Sequence, residues 1–247
     1  IAADTSISSG YASGPWPSPV VGTHSLIARV IDIFGAEVDS IPITVTILGD
    51  SDEDRMGDTW EQSNFGSLAE EALADFDGDG VPNVFEYNHQ TDPTDSSSKI
   101  AFAETQTGDF KYFIVDTSLG SETGVRKRTV LAAIQAANDF DVIEVLPGIY
   151  NEYLGILSDR LYIFGSSGAR NTIITPQGLN NRALYLASES VFSGLTFSGA
   201  NPASTSFDGG AIYMFISGNQ TKPRFIGCLF SDNTVLDRGG AIYISSA

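Results

Sequence analysis

The hydrophobic pattern of the chain consists mainly of short β-branched runs separated by polar turns. Alternation is clearest over residues 41–47, where four aliphatic side chains would share one face of a strand opposite Thr44 and Thr46. A second apolar run covers residues 24–31, and the intervening Phe-Gly-Ala-Glu of residues 34–37 predicts a turn. A hairpin of this kind is marginal in water by itself. We therefore expect residues 1–48 to be the C-terminal part of a β-sandwich that serves as a spacer.

Residues 99–247 contain an internal repeat. Residues 192–198 align with 225–231 at an offset of 33 residues, and Gly-Gly-Ala-Ile-Tyr at 209–213 recurs at 239–243, at an offset of 30. Stacked coils tolerate such differences in loop length. The residues expected to point inward and form rows are Phe197, Phe230, Ile212 and Ile242. Earlier strands are expected at 142–145, 161–164, 172–175 and 183–186. This spacing, without helices between the strands, predicts a parallel β-helix rather than βαβ units.

Two segments have a helical pattern instead. Thr129 is a good N-cap for residues 130–137, whose apolar face at Val130, Ile134 and Ala137 must be buried. A solenoid needs its open end covered, so we expect this helix to form the N-terminal cap of the β-helix. Residues 68–73 predict one or two further helical turns.

The charge is strongly acidic and unevenly distributed. Thirty-one Asp and Glu residues oppose 13 Lys and Arg residues, a net charge of −18 that argues against nucleic-acid or anionic-membrane partners. Residues 50–95 alone carry 14 acidic residues and only Arg55 as a base, which predicts a separate module over residues 49–98.

No apolar run approaches the roughly 18 residues of a membrane-spanning helix. The chain starts at Ile1 and ends within a strand-like run, so we expect a fragment of a longer protein.

Within this acidic segment, oxygen-bearing side chains occupy positions 1, 3, 5, 9 and 12 of two twelve-residue loops that start 25 residues apart. Calcium prefers roughly six to eight oxygen ligands, and alternate residues of a tight loop can direct them at one centre. The ligands predicted for the first loop are Asp50, Asp52, Asp54, Asp58 and Glu61, with the backbone carbonyl of Met56 at position 7. Those predicted for the second are Asp75, Asp77, Asp79, Asn83 and Glu86, with the carbonyl of Val81.

Position 6 of such a loop turns sharply. Gly80 suits this position in the second loop, whereas Arg55 in the first predicts strain or weaker binding. A solvated acidic face is the alternative interpretation, but crowded carboxylates repel one another unless a cation neutralises them. Magnesium would require stricter octahedral geometry, and zinc would favour His or Cys ligands. We therefore predict Ca²⁺ as the bound ion in both loops.

Residues 50–95 resemble the bacterial thrombospondin type three-like calcium modules. The motifs that carry the resemblance are Asp58-Thr59-Trp60-Glu61, Phe65-Gly66-Ser67-Leu68, Asp75-Phe76-Asp77-Gly78-Asp79-Gly80, Phe85-Glu86-Tyr87 and Thr91-Asp92-Pro93-Thr94-Asp95. The resemblance implies paired calcium loops that rigidify the joint between neighbouring domains, with Asp92 as a further candidate ligand. His89 is not expected to be a ligand, because calcium prefers oxygen.

The flanking segments also resemble known families. The pattern around His24, Asp32 and residues 45–47 is similar to the closing strands of immunoglobulin-like modules of bacterial surface proteins. Residues 112–152 resemble the start of right-handed parallel β-helix domains of the pectin-lyase-like superfamily. The Gly-Gly-Ala-Ile boxes resemble the repeats of polymorphic outer-membrane adhesins. Together these features predict a mainly β, multidomain chain: a truncated sandwich, an EF-hand-like calcium-loop module and a right-handed parallel β-helix solenoid.

The leading functional hypothesis is a calcium-binding modular protein, extracellular or at the cell surface. Its calcium-stapled joint would connect the spacer to an adhesive or structural β-helix whose partner is an extracellular polysaccharide or a cell-surface molecule. The alternative is a polysaccharide-degrading lyase or hydrolase, whose catalytic candidates by residue type are Asp208, Asp232, Asp237, Arg224 and Arg238. We assign no catalytic residue, because Asp208 and Asp237 precede glycines and suit turns. A regulatory calcium sensor is disfavoured, because the acidic segment has too few apolar residues to line a groove.

The single cysteine, Cys228, aligns with Leu195 and is expected to be a buried, unreactive thiol.

Overall fold

The computed structural model describes residues 20–31, 33–104, 106, 109–176, 181–202, 208–216 and 223–246. Asp32 and residues 1–19, which belong to the sandwich prediction, lie outside this described part. Contacts between α-carbons divide the chain into two compact units, residues 1–70 and 71–247. The division falls inside the acidic segment, so the first acidic loop (residues 50–61) belongs to the first unit and the second acidic loop (residues 75–86) to the second.

The described residues of the first unit form two small antiparallel sheets and one helix. Its elements are β1 (Gly22–Leu26), β2 (Arg29–Ile31), β3 (Glu37–Asp39), β4 (Ile43–Ile47) and α1 (Asp58–Asn64). The apolar run predicted over residues 24–31 is divided into two strands: β1 pairs with β4, and β2 pairs with β3. Arg29 joins the second pair through its guanidinium, which contacts the carboxylates of Glu37 and Asp39 at 2.8 and 2.6 Å.

The second unit is built from parallel strands. Its elements are α2 (Asn83–His89), β5 (Tyr112–Val115), β6 (Arg126–Lys127), α3 (Val130–Ala136), β7 (Val142–Val145), β8 (Gly148–Tyr150), β9 (Ile156–Leu157), β10 (Tyr162–Gly165), β11 (Thr172–Ile174), β12 (Leu184–Leu186), β13 (Val191–Ser193), β14 (Thr196–Ser198), β15 (Ile212–Ile216), β16 (Arg224–Ile226), β17 (Leu229–Ser231) and β18 (Ile242–Ser246). The predicted strands at 142–145, 161–164, 172–175 and 183–186 are thus confirmed within one residue or so. Among the described residues, the chain is mainly β and has three helices of seven residues each.

From β7 onward, every third strand joins the same sheet. The sheet orders are β16-β13-β10-β7-β5-β6, β17-β14-β11-β8 and β18-β15-β12-β9, and the pairings within them are parallel. We call these three sheets the three-sheet body. This arrangement is compatible with a β-helix, because a chain that visits three sheets in turn stacks one coil on the next.

The core of the three-sheet body consists of matching residues from successive repeats. Phe197 pairs with Phe230 across β14 and β17, and their rings stack with centroids 5.5 Å apart. Ile212 pairs with Ile242 across β15 and β18. Both offsets found in the sequence therefore correspond to neighbouring strands, and the predicted inward rows are confirmed.

The α3 helix packs against β5, β6 and β7 at the edge of the six-stranded sheet. Its predicted N-cap is confirmed, because the Thr129 hydroxyl accepts a hydrogen bond from the Ala132 amide at 3.1 Å. The Glu152 carboxylate accepts two more, from the amides of Val130 and Leu131 at 3.0 and 2.9 Å. Val130 is fully buried, as its place on the apolar face of the helix requires.

The helical turns predicted at residues 68–73 are wrong, because this segment is a series of bends and turns. Its backbone groups bond to the start of α2 instead of to one another. The carbonyls of Ala72 and Ala74 accept from the amides of Val84 and Asn83 at 2.9 and 2.8 Å. These contacts tie the end of the segment to the start of α2, so a distant partner rather than local helix propensity sets its path.

Candidate metal centres

The first acidic loop is closed by hydrogen bonds from its own backbone. The Asp50 carboxylate accepts from the amides of Asp54 and Arg55, at 3.1 and 3.0 Å. One oxygen of Asp54 accepts from the Met56 amide at 2.8 Å. The Asp58 carboxylate, where α1 begins, accepts from both the amide and the hydroxyl of Ser51 at 2.7 Å. Position 1 is thereby linked to position 6, position 5 to position 7, and position 9 to position 2.

The second acidic loop repeats these three links between positions. The Asp75 carboxylate accepts from the Gly80 amide at 2.9 Å, and one Asp79 oxygen accepts from the Val81 amide at 2.7 Å. The side-chain oxygen of Asn83, where α2 begins, accepts from the Phe76 amide at 3.1 Å. In both loops the amide at position 9 also donates to the carbonyl of the residue before position 1. The 25-residue repeat in the sequence therefore corresponds to a repeated local structure.

The two loops turn at the same two positions but with different residues. Position 6 has positive φ in both, 79° at Arg55 and 98° at Gly80. Position 4 does as well, 62° at Glu53 and 78° at Gly78, a feature that the sequence analysis missed. Residues with a β-carbon are strained in this region, at a cost of roughly 1–2 kcal/mol each. The strain predicted at Arg55 is therefore present, and Glu53 shares it.

Carboxylate oxygens converge inside each loop. In the first loop the sets Asp50–Asp52–Asp54 and Asp52–Asp58–Glu61 each offer oxygens within 4.8 Å of one another. In the second loop Asp75, Asp77 and Asp79 do the same. The backbone network leaves one oxygen on several of these side chains unused. The buried oxygens without a hydrogen-bond partner among the described residues are Oδ2 of Asp54, Asp77 and Asp79, Oε2 of Glu86 and both oxygens of Glu61.

Glu61 and Glu86, at position 12 of their loops, are both fully buried. Burial, together with the charges of the neighbouring aspartates, raises the pKa of Glu61 to about 7 and that of Glu86 to about 8. Within the described part of the chain, only one oxygen of Glu86 has a hydrogen-bond partner, the Thr91 hydroxyl at 3.1 Å. A buried carboxylate beside other carboxylates is costly, and a cation placed among them would remove that cost.

The remaining predicted ligands hold the loops together. The side-chain amide of Asn83 donates to the Glu71 carbonyl at 3.2 Å, in addition to accepting from the Phe76 amide through its oxygen. The side chains of Met56 and Val81, whose carbonyls are the predicted position 7 ligands, are buried. Asp92 closes a turn of its own by accepting from the amide and hydroxyl of Thr94 at 2.9 and 2.7 Å. Its predicted role as a further ligand gains no support from this contact.

Contacts with the three-sheet body surround the second acidic loop. The Tyr162 hydroxyl donates to the Gly80 carbonyl at 2.7 Å, and Phe85 packs against the rings of Tyr162 and Phe140 with centroids 5.6 and 6.0 Å away. Arg224 donates to the Leu73 carbonyl just before the loop. These contacts lie outside any local pattern, so the sequence analysis did not find them.

A cation of the chain itself lies beside this loop. The Lys99 ammonium group donates to the Asp79 carbonyl at 3.0 Å and lies 3.8 Å from the Oδ2 atom of that residue. At the end of α2, the Nε2 atom of His89 lies 3.0 Å from the Phe140 carbonyl, and burial lowers the pKa of this imidazole. His89 thus joins the end of α2 to the backbone just before β7.

The residue types considered for catalysis have other structural partners. Arg224 donates to the Leu73 carbonyl. Arg238 lies 3.8 Å from the Asp237 carboxylate and donates to the Tyr243 hydroxyl at 3.3 Å. Asp232 has a φ of 55° and is a turn residue. Asp208 has one buried oxygen without a partner among the described residues. Cys228 is half-buried, its thiol lies 3.4 Å from the Phe192 carbonyl, and burial raises its pKa.

Comparisons with protein-family models, curated proteins and solved structures found no match. The resemblances to calcium modules, immunoglobulin-like modules, pectin lyases and adhesins therefore remain expectations from sequence. The three helices of the described residues are also too short to cross a membrane.

Proposed function

We propose that this chain is a calcium-binding modular protein of the cell exterior, in which each acidic loop holds one Ca²⁺. The observation that carries the proposal is the pair of fully buried glutamates, Glu61 and Glu86. Both have carboxylate oxygens without a hydrogen-bond partner among the described residues, and both face aspartates of their own loop. Buried unpaired carboxylates are rare in folded proteins unless they are protonated or coordinate a cation.

The donor set suits calcium. Each loop offers carboxylate oxygens from four or five side chains and a backbone carbonyl, all hard ligands, and neither loop contains a cysteine or a histidine. One oxygen of each aspartate at position 5 accepts from a backbone amide, and the other has no hydrogen-bond partner among the described residues, with the Lys99 ammonium group 3.8 Å from that of Asp79. The chain's own role is thus to hold the carboxylates in place before the ion arrives. A bound Ca²⁺ supplies the positive charge that allows them to remain ionised together.

The wider function follows from the modules on either side. The three-sheet body is proposed to be a right-handed parallel β-helix that offers an adhesive or structural surface, and the first unit a spacer. The loops would stiffen the region between them, as expected for a thrombospondin type three-like module. The polysaccharide-degrading alternative is less favoured, because the candidate arginines, Arg224 and Arg238, already have structural partners.

A calcium titration of the chelator-treated protein tests the proposal. Calorimetry should detect two ions per chain, with dissociation constants of roughly 10⁻⁴–10⁻³ M if the loops behave like extracellular modules. The variants Glu61→Gln and Glu86→Gln should each bind one ion. Glu71→Gln, which removes an exposed charge between the loops, should still bind two. Magnesium at the same concentration should give no comparable signal.

The absence of calcium binding at millimolar concentrations would contradict the proposal. So would unchanged stoichiometry in both Glu61→Gln and Glu86→Gln, because the position 12 glutamates would then have no part in binding.

A further inference from the structure

We propose that the ion of the second acidic loop is a structural part of the three-sheet body, which it stabilises by locking the loop against strands β10 and β16. The inference rests on the proposed calcium binding and goes further, because it assigns this site a role in holding the strands of the body together. Tyr162 and Arg224 are the positioning residues of this coupling.

The first step is the direct link between the loop and β10. Gly80 lies between the predicted ligands Asp79 and Val81, and its carbonyl accepts the hydroxyl of Tyr162 at 2.7 Å. Phe85 lies between the predicted ligands Asn83 and Glu86, is fully buried, and packs against the Tyr162 ring. An ion that fixes those ligands therefore also fixes the carbonyl and the ring that Tyr162 contacts.

The second step is a contact with a strand further along the sheet. Arg224 begins β16 and donates to the Leu73 carbonyl, two residues before the loop. In the six-stranded sheet β16 is separated from β10 by β13 alone. The loop segment thus spans three adjacent strands, which belong to three successive repeats. Separating these strands requires breaking the contacts of the loop, and the ion makes the loop harder to deform.

Thermodynamic linkage turns this geometry into a measurable effect. If calcium stabilises the folded body through the loop, then an intact contact with the body must strengthen calcium binding by the same factor. A hydrogen bond of the Tyr162 type contributes a factor of about two to ten to such an equilibrium. Tyr162→Phe should therefore weaken calcium binding at the second loop by about twofold to tenfold.

Thiol labelling of the chain can report local opening of the three-sheet body. Its one cysteine, Cys228, lies between β16 and β17 and is half-buried, so its reaction with a thiol reagent reports opening of this part of the body. In moderate denaturant, saturating calcium should slow the labelling of Cys228 at least severalfold. The variant Glu86→Gln should abolish this protection, whereas Glu61→Gln, which changes only the first loop, should retain it.

A matched pair of tyrosines separates coupling from general destabilisation. Tyr150 is also buried and donates its hydroxyl to a carbonyl, that of Leu146 at 2.8 Å, but that carbonyl lies outside both loops. Tyr150→Phe should accelerate Cys228 labelling equally with and without calcium. Tyr162→Phe should accelerate it mainly in the presence of calcium and should also weaken calcium binding at the second loop.

The outcomes separate the two proposals. If wild-type protein binds two ions but calcium leaves Cys228 labelling unchanged, the coupling is overturned and the proposed calcium function stands. Equal effects of Tyr150→Phe and Tyr162→Phe on calcium affinity would also overturn the coupling. A protein that binds no calcium would overturn both.

Discussion

Calcium binding should release protons, because the two buried glutamates are partly protonated before the ion binds. At about pH 7, a group with a pKa of about 8, as for Glu86, carries about 0.9 proton, and one with a pKa of about 7, as for Glu61, carries about 0.5. Coordination requires the ionised carboxylate, so filling both loops should release about 1.4 protons per chain. At about pH 9 the release should fall to about 0.1 proton.

The assay is calorimetry at one pH in buffers that differ in ionisation enthalpy, because the slope of the observed heat gives the number of protons released. Glu86→Gln should lower the release at about pH 7 by about 0.9 proton, and Glu61→Gln by about 0.5. Glu71→Gln is the control and should leave it unchanged. Release of fewer than about 0.3 proton by wild-type protein that binds two ions would refute the reasoning, because both glutamates would then be ionised beforehand.

The same groups set the pH dependence of the calcium-free protein. Burial raises the pKa of Glu86 above its ordinary value of 4.5, so the folded state binds more protons than the unfolded state between about pH 4.5 and 8. The contribution of Glu86 to stability without calcium should therefore be complete below that window and should be lost as pH rises through it. Thermal unfolding of the chelated protein should follow this trend, and Glu86→Gln should flatten it.

Three substitutions test other parts of the structure. Arg55→Gly should stabilise the calcium-loaded first loop by about 1 kcal/mol through relief of its positive φ, measured by calcium titration; Arg55→Ala, which keeps the β-carbon, should gain less. Gly165→Ala should destabilise the second unit by about 2 kcal/mol or more in urea unfolding, because the new methyl group would clash with the Gly194 carbonyl. Gly124→Ala is the control, because its new methyl group would have no atom of the described residues within 4 Å. Glu152→Ala should cost about 1.5–3 kcal/mol in the same assay, because two amides at the start of α3 lose a charged acceptor.

Local patterns predicted much of this structure. The Thr129 cap and the spacing of aspartates act within a few residues, so the sequence was sufficient to place α3 and to bring the loop carboxylates together. The repeat offsets also predicted the pairing of Phe197 with Phe230, because identical side chains favour equivalent places in neighbouring strands.

Interactions between distant residues were not predictable in this way. Nothing around Tyr162 indicates that its hydroxyl meets the Gly80 carbonyl, 82 residues earlier. The wrong helix at residues 68–73 has the same cause, because contacts of Ala72 and Ala74 with the start of α2 set the path of this segment. The binding of Ca²⁺ also stays a prediction, because the arrangement of the loops indicates only which oxygens are available to a cation.

The pairing of Tyr213 with Tyr243, and of Ile212 with Ile242, has a consequence for how such a chain can change length. A deletion or duplication of the 30 residues between equivalent positions would bring the same side chains face to face again, so the new neighbours would already be complementary. Recombination between repeats could thus shorten or extend the body in steps of one strand spacing, roughly 4.8 Å, while the core contacts between neighbouring strands stay the same. The number of strands in each sheet can then change without any change in the side chains that pair between neighbouring strands.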